Sequence, residues 1–340
     1  MCNQAVTVTR LLANRAESIQ READVFAPAN IALCKYWGKR DTELNLPVTD
    51  SLSLSLGALG SRCKMTIADG AADHVQLNGT LLPPENPFAC RLSRFLDLFR
   101  GDQRHHFRIE TVNTIPTAAG FASSASGFAA IVKALDTLHG WRLPERSLSI
   151  LARLGSGSAS RSLWQGFVHW HAGGDADGMD CFAEPMPEQW PDLRIGLLIL
   201  NRSQKATGST EAMRRTVETS VLYEAWPRQV ATDLAAIRQA IRDCDIAGLG
   251  TAVEANALAM HATMMAARPA VLYWQPESVA AMQRVWSARA EGLPVYFTMD
   301  AGPNVKLLFR ETDRTAIEQR FKELVTANPW QTPDRELTSL

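Results

Sequence analysis

Four short stretches of the chain combine residue types that act on anions or protons. The longest runs from Asn113 to Gly127 (NTIPTAAGFASSASG) and enters a helical pattern at Ser123 and Ser124. Small residues let the backbone approach a ligand, and unpaired N–H groups at a helix start point towards an anion. The two serine hydroxyls add hydrogen bonds or a metal ligand, which completes a nucleotide phosphate cradle. No Gly-Lys-Ser or Gly-Lys-Thr follows, so the loop is not a Walker A sequence. On its own it also describes a plain turn capped by Ser123 or Ser124. In the second stretch Lys35 and Lys39 lie four residues apart with Tyr36 between them, offering two cations and a phenol to a diphosphate. In the third, Ser156 and Ser158 precede Arg161, whose planar fork suits a carboxylate or phosphate. The fourth is Asp300-Ala301-Gly302-Pro303-Asn304, where Asp, Gly and Pro each favour a turn for a separate reason.

Period-two and period-3.6 patterns frame these stretches. Ser51, Ser53 and Ser55 alternate with Leu52, Leu54 and Leu56, which predicts a strand with one buried face. Residues 63–68 and 74–77 predict a hairpin, and 106–112 a further strand. Phe128, Ile131, Leu135 and Leu138 mark a helix after the small-residue loop, and Val230, Leu234, Ile237 and Ile241 mark a later one. Residues 293–298 and 305–309 predict paired strands, with Asp300 in the turn between them. The chain is therefore mixed α and β.

A length of 340 residues fits two domains and invites a cleft between them. The Gly-rich stretch at 173–178 and the prolines at 185, 187 and 191 place the boundary near residue 190. This divides the chain into a 1–22 extension, domains at 23–190 and 191–330, and a tail at 331–340. The extension is an extra helix or a frayed end and offers no chemistry. With 36 acidic and 35 basic residues there is no overall bias towards nucleic acid or an anionic membrane, so phosphate binding must be local. Six cysteines without a CxxC pair argue against a zinc site or a disulfide framework and suit a reducing cytosol. The first 22 residues lack the apolar core of a secretory signal, and the 195–200 run is far too short to cross a bilayer.

Taken together, the blocks resemble a known family. Pro116 to Gly127 is similar to the phosphate loop of the GHMP kinase superfamily and, within it, to that of the diphosphomevalonate decarboxylases, with Phe121 where leucine is usual. Ala27 to Arg40, with its Lys-Tyr-Trp-Gly-Lys core, resembles the family's N-terminal signature. Gly155 to Ser162 resembles its next block, with Ser160 in place of a common cysteine. Lys205 to Thr210 leads into a helix with Arg214 and Arg215, again as in the family, and Asp300 to Asn304 matches its Asp-Ala-Gly-Pro-Asn motif. His261 belongs to a sixth block and reads as packing or a helix–helix contact.

The resemblance implies an α+β, two-domain fold, ribosomal-protein-S5-like then ferredoxin-like, with ligands in the cleft between the halves. It implies ATP- and Mg²⁺-dependent decarboxylation of mevalonate 5-diphosphate to isopentenyl diphosphate, without pyridoxal phosphate or thiamine. Asp300 becomes the catalytic residue that accepts or orients the hydroxyl proton, with Lys35 beside it and Arg161 on the substrate carboxylate or diphosphate. Substrate contacts fall to Tyr36, Lys39, Ser156, Gly157, Ser158 and Arg161. ATP contacts fall to Pro116, Thr117, Ala118, Gly120, Ser123, Ser124 and Ser209, with Ser123 or Ser124 a Mg²⁺ ligand through the ATP phosphates. The family further implies a cytoplasmic homodimer with no nucleic-acid or membrane partner. Two alternatives stand beside this reading: a superfamily kinase that phosphorylates mevalonate or phosphomevalonate and stops, and a non-catalytic nucleotide-binding protein on the same scaffold.

Overall fold

A computed structural model describes residues 3–68, 70–100, 105–115, 123–201 and 207–333 of the chain. Helix α1 (Asn3–Leu12) is docked, with Thr7 and Val8 buried, so the start of the extension is an added helix. Strand β1 (Ala23–Cys34) buries every residue from Ala27 to Cys34, because both of its faces are covered. A small hairpin of β2 (Lys39–Asp41) and β3 (Leu46–Pro47) leads into β4 (Ser51–Ala68). Next come β5 (His74–Leu77), β6 (Thr80–Leu81), helix α2 (Pro87–Leu96) and β7 (His106–Asn113). Helices α3 (Ser123–His139) and α4 (Glu145–Gly155) precede β8 (Phe167–Trp170) and β9 (Ala183–Pro185).

These strands form one seven-stranded sheet in the order β6-β5-β7-β4-β8-β9, with β1 paired to β4. Two expectations change here. The serines of the β4 alternation are as buried as its leucines. Period two reports that side chains alternate between faces, and here both faces are covered. Two hydroxyls of the serine face are engaged, Ser51 accepting a hydrogen bond from Arg161 and Ser55 one from the Gly57 N–H, while the Ser53 hydroxyl has no partner among the described residues. Nor do residues 63–68 and 74–77 form a hairpin. β7 takes the β4 edge with the register Ser61↔Asn113 to Ala68↔His106, and β5 joins β7 in parallel beyond it. Eight residue pairs on that edge outcompete the four that β5 offers.

The second half is built on β10 (Leu193–Leu198), after which come α5 (Ser209–Thr219), α6 (Trp226–Asp243), α7 (Ile246–Met265) and α8 (Pro276–Ala290). Strands β11 (Tyr296–Met299) and β12 (Val305–Arg310) pair around the Asp300 turn as expected, followed by α9 (Arg314–Arg320) and β13 (Leu324–Ala327). Their sheet runs β11-β12-β10-β13, antiparallel throughout. One apolar cluster joins the two sheets. It holds Leu33 and Leu54 from the first together with Ile195, Trp226, Val253 and Leu308 from the second half. Close packing of that kind fixes the end of β1 relative to the β11–β12 turn.

Candidate active site

Lys35 follows β1 directly, and its backbone is fastened from the other half of the chain. Its N–H donates to Asn256 Oδ1 on α7 (2.8 Å), and Asn256 Nδ2 donates to Asp233 Oδ2 on α6 (2.8 Å). The Lys35 ammonium donates to the Ala32 carbonyl at 2.8 Å and to Asp300 Oδ1 at 2.9 Å. Asp300 sits on a turn held from three sides. Asn304 Oδ1 accepts from the N–H groups of Leu200 and Asn201 (2.8 and 2.9 Å), and Ser278 Oγ donates to the Pro303 carbonyl (2.7 Å). The His261 ring bonds to the Asp300 backbone carbonyl, and burial pushes its pKa down to about 3, so it stays neutral. His261 thus supports the turn as well as packing, a role its sequence block did not show.

A second lysine grips the same carboxylate. Lys306, on β12, places its ammonium 3.1 Å from Asp300 Oδ2 and 3.3 Å from the Asn304 carbonyl. Sequence reasoning missed it, although a single lysine inside Val-Lys-Leu-Leu-Phe, where every neighbour is buried, is a signal. The two lysine side chains retain 1% and 4% of their exposure while that of Asp300 keeps 39%, so the carboxylate is the part of the cluster that faces open space. Burial alone would raise the Asp300 pKa, but Lys306 and Lys35 outweigh it and hold the carboxyl well below the usual carboxylate range. Burial pulls Lys35 down to about 8, with Asp300 pulling it back up and Lys306 pushing it further down.

Arg161 ends the 3-10 turn Gly157–Arg161 that follows α4. Its guanidinium donates to Ser51 Oγ and, at 3.4 Å, to Asn30 Oδ1, and lies 5.5 Å above the Trp170 ring. Asn30 also donates to Ser162 Oγ (2.7 Å) and the Ser158 carbonyl (3.3 Å), so one amide aligns both the arginine and its turn. Burial lowers Arg161 to about 10, against the pull of Asp300, and it remains charged near neutrality. Among the described residues no carboxylate forms an ion pair with it. Asn30, Ser51 and Trp170 are further site residues that pattern reading passed over.

The substrate-side residues cluster here too. Gly157 is required by close approach, since a Cβ there would lie 2.9 Å from the Tyr36 ring. The Tyr36 ring packs edge-on against Trp170 at 4.8 Å, and its buried hydroxyl has no partner among the described residues. Burial raises its pKa, so it remains a phenol donor. Ser156 and Ser158 hold their hydroxyls 3.5 Å apart, and Lys39 donates to Asn45 Oδ1 at 2.7 Å.

The phosphate-loop residues Pro116, Thr117, Ala118 and Gly120 lie outside the described residues, as does the Ser123 side chain. Helix α3 does begin at Ser123 with Ser124 half-buried. Ser126 is tied to Ser61 (2.7 Å) and Ser61 to Asn113 (2.7 Å), which fixes the helix start against β4 and β7. Ser209 opens α5 without capping it, as Gly208 holds the cap position. Arg214 and Arg215 pair with glutamates of their own helix.

Two other features offer less. Asp50, His169 and His171 could gather round a metal ion, but Arg238 faces His169 Nδ1 at 3.4 Å. That donor leaves the ring hydrogen on Nε2, which gives it to Asp50 at 3.1 Å, and the lone pair a metal needs is already engaged. A cavity of about 550 Å³ lined by Asp73, Val75, Leu82, Cys90 and Ser93 shares no residue with the Asp300 cluster.

Comparison with known proteins decides which chemistry this geometry belongs to. Residues 27–183 match the diphosphomevalonate decarboxylase-like N-terminal domain, and residues 195–337 the mevalonate 5-diphosphate decarboxylase C-terminal domain. The chain belongs to the diphosphomevalonate decarboxylase family. A diphosphomevalonate decarboxylase of Aspergillus fumigatus is 37% identical over 330 residues, spanning 90% of this chain and 81% of the relative. A solved structure of MDDEF in complex with MVAPP, AMPPCP and magnesium is 40% identical with a TM-score of 0.85, over 90% of this chain and 96% of that one. Mevalonate diphosphate decarboxylase from Staphylococcus aureus gives a TM-score of 0.87 at 35% identity, over 92% and 97%. The architecture is thus the two-domain α+β GHMP kinase fold of the decarboxylases, and α1 precedes the segment their N-terminal model covers.

Proposed function

We propose that the chain converts mevalonate 5-diphosphate and ATP into isopentenyl diphosphate, ADP, phosphate and CO₂. The observation that carries this is the charge balance at Asp300. Lys35 and Lys306 both grip Asp300, while Arg161, buried in the same cluster, forms no ion pair among the described residues, so its charge is left for an anionic ligand. Burying an ion costs several kcal/mol unless a partner offsets it, and a substrate carrying a carboxylate and a diphosphate supplies that partner.

Chemically, ATP phosphorylates the tertiary 3-hydroxyl. The C3–O bond then breaks with the C1–C2 bond, CO₂ departs, and its electron pair becomes the C2=C3 double bond. Asp300 orients the hydroxyl and takes its proton. With a depressed pKa it is a weak base, which suffices because the proton leaves late in a loose phosphoryl-transfer transition state. Arg161 aligns the carboxylate with the departing phosphate, and Lys35 and Lys306 fix the position of Asp300. Tyr36, Lys39, Ser156, Ser158 and the Gly157 backbone take the diphosphate. The start of α3, with Ser124, and Ser209 at the start of α5 serve ATP, and Ser123 or Ser124 is the Mg²⁺ ligand, hydroxyl oxygens being suited to that hard cation. Mg²⁺ supplies charge neutralisation on the phosphates when bound.

The division between domains at 23–190 and 191–330 is supported by the separate sheets and by the gap between the two family matches, the second of which runs on to residue 337, into the 331–340 tail. A cytoplasmic setting is supported by the described cysteines, all of them free. A homodimer is supported by Val217, Val221, Leu222 and Met265, exposed on neighbouring elements. No helix among the described residues is long and apolar enough to cross a membrane.

The activity is tested by incubating the purified protein with ATP and carboxyl-labelled mevalonate 5-diphosphate. CO₂ and ADP appear in equal amounts if the proposal holds, whereas ADP without CO₂ means a kinase that stops at phosphorylation. The pH profile tests the lysine pair. Log kcat/KM, which reports the free enzyme, falls as pH rises through about 8, where Lys35 loses its proton. Lys306→Met lowers kcat/KM by about tenfold or more and moves that alkaline limb to higher pH, because a like charge beside Lys35 is gone. An unmoved limb would show that the two lysines do not act together.

A further inference from the structure

We infer that helix α1, outside the span of the family's N-terminal model, is a strap that holds the β2–β3 hairpin so that Lys39 is set in place for the substrate diphosphate. The inference rests on the diphosphate role given to Lys39 above.

The hairpin has little stability of its own. Its two strands share only the pairs Lys39↔Pro47 and Asp41↔Leu46, with an irregularity between them, and Pro47 has no N–H to give. A two-stranded ribbon of this size is marginal in water, so outside contacts decide its geometry. The first turn of α1 provides them. The Asn3 N–H and Nδ2 donate to the two oxygens of Glu43 at 2.7 and 3.0 Å, placing a carboxylate of the hairpin turn at the positive end of the helix. Gln4 Nε2 reaches the Glu43 carbonyl at 2.6 Å and the Leu154 carbonyl, near the end of α4, at 3.4 Å.

The Leu154 carbonyl is where the strap meets the site. It also accepts from Asn45 Nδ2 at 3.1 Å, as does the Arg153 carbonyl at 2.9 Å, and Asn45 Oδ1 in turn accepts from the Lys39 ammonium at 2.7 Å. Asn45 has a φ of 55°, a left-handed conformation that asparagine tolerates better than most residues. A chain of hydrogen bonds therefore runs from Gln4 through Leu154 and Asn45 to Lys39. The far end of α1 grips the hairpin's other support. Arg10 pairs with Asp177 at 2.8 Å, in the same loop whose Asp175 and Ala172 carbonyls hold Arg40. Buried Val8 keeps the helix seated between these two grips.

A preset cation binds without first paying the entropy of ordering its support. Loss of the strap therefore weakens diphosphate binding in the ground state and the transition state alike, which raises KM and spares kcat. The test uses the full chain with Gln4→Ala and Glu43→Ala combined, Lys39→Met alone, and all three together. The strap variant raises KM for mevalonate 5-diphosphate about five- to tenfold, with kcat within about twofold and KM for ATP unchanged. Lys39→Met raises the same KM, and adding the strap substitutions to it has no further effect. A merely structural helix would instead lower the melting temperature and give additive losses. Strap substitutions that leave KM alone, or that add fully to Lys39→Met, overturn the inference while the Lys39 assignment stands. If Lys39→Met itself leaves KM unchanged, the diphosphate role of Lys39 is wrong and the strap inference falls with it.

Discussion

Asp300→Asn is expected to bind ATP normally and to turn over at least about a thousandfold more slowly, the scale of losing a positioned proton acceptor. The amide keeps the shape of the side chain but has no basic oxygen to receive the hydroxyl proton. The substitution also removes the only counter-charge that the described structure gives Lys35, and one shared by Lys306. Removing one side of the pair leaves the charge of buried Lys35 unpaired, so the melting temperature should drop. The pH dependence of that drop has a definite sign. Lys35 already titrates at about 8 when folded, against 10.5 for a free side chain. Its folded pKa is depressed, so the unfolded chain binds more protons across that window and stability rises with pH. Without Asp300 the depression deepens, so the variant loses more stability at pH 6 than at pH 9. Single-turnover kinetics, nucleotide titration and melting at the two pH values together check this. A variant with wild-type turnover would remove Asp300 from the mechanism, and a loss of stability that is larger at pH 9 would contradict the lysine clamp.

Much of this could be read in the sequence, and what could not shares a physical cause. Helices α3 and α6 announce themselves through apolar spacing, and the strands around Asp300 through short apolar runs flanking a Gly-Pro turn. Spacing reports a periodicity, however, and not what will cover each face. The β4 serines therefore read as solvent-facing when they line a polar interior. Adjacency in sequence suggested that β5 returns along β4, whereas strand length gave that edge to β7. The supporting polar residues were hardest to see. Asn30, Asn256 and Lys306 each lie in apolar runs, and their partners are 128 to 132, 23 and 221, and 6 positions away respectively. Only the last of these is local, and it hid behind a turn whose residue types already had a sufficient explanation. A polar residue that interrupts a strand with buried neighbours is the signal to weigh, since burial without a partner is costly. Helix α1 illustrates the opposite case. Its polar composition looked inert because hydrogen bonds to Glu43 and Leu154 leave no trace in its own pattern.

Arg161→Lys is expected to separate the two halves of the reaction. The substitution keeps one positive charge but loses the planar fork, the hydrogen bonds to Ser51 and Asn30, and the stacking over Trp170. An ammonium attracts the substrate carboxylate without fixing its plane, while concerted loss of CO₂ and phosphate needs the C1–C2 bond aligned with the departing oxygen. We therefore expect kcat/KM to fall about a hundredfold or more. Phosphorylation depends on Asp300 and should suffer less than decarboxylation, so ADP should form in excess of CO₂ and a 3-phosphorylated product should accumulate. The new lysine would sit near Lys35, whose pKa the charge at position 161 already lowers, in a buried setting that lowers an ammonium pKa further. Arg161 stays charged through the wild-type alkaline limb that Lys35 sets near 8, whereas a buried lysine at 161 should lose its proton below that limb, so the variant should lose activity at a lower pH than the wild type. Equal yields of ADP and CO₂ from a slowed enzyme would assign Arg161 to the diphosphate, because a group that only anchors that end cannot uncouple phosphorylation from the loss of the carboxylate.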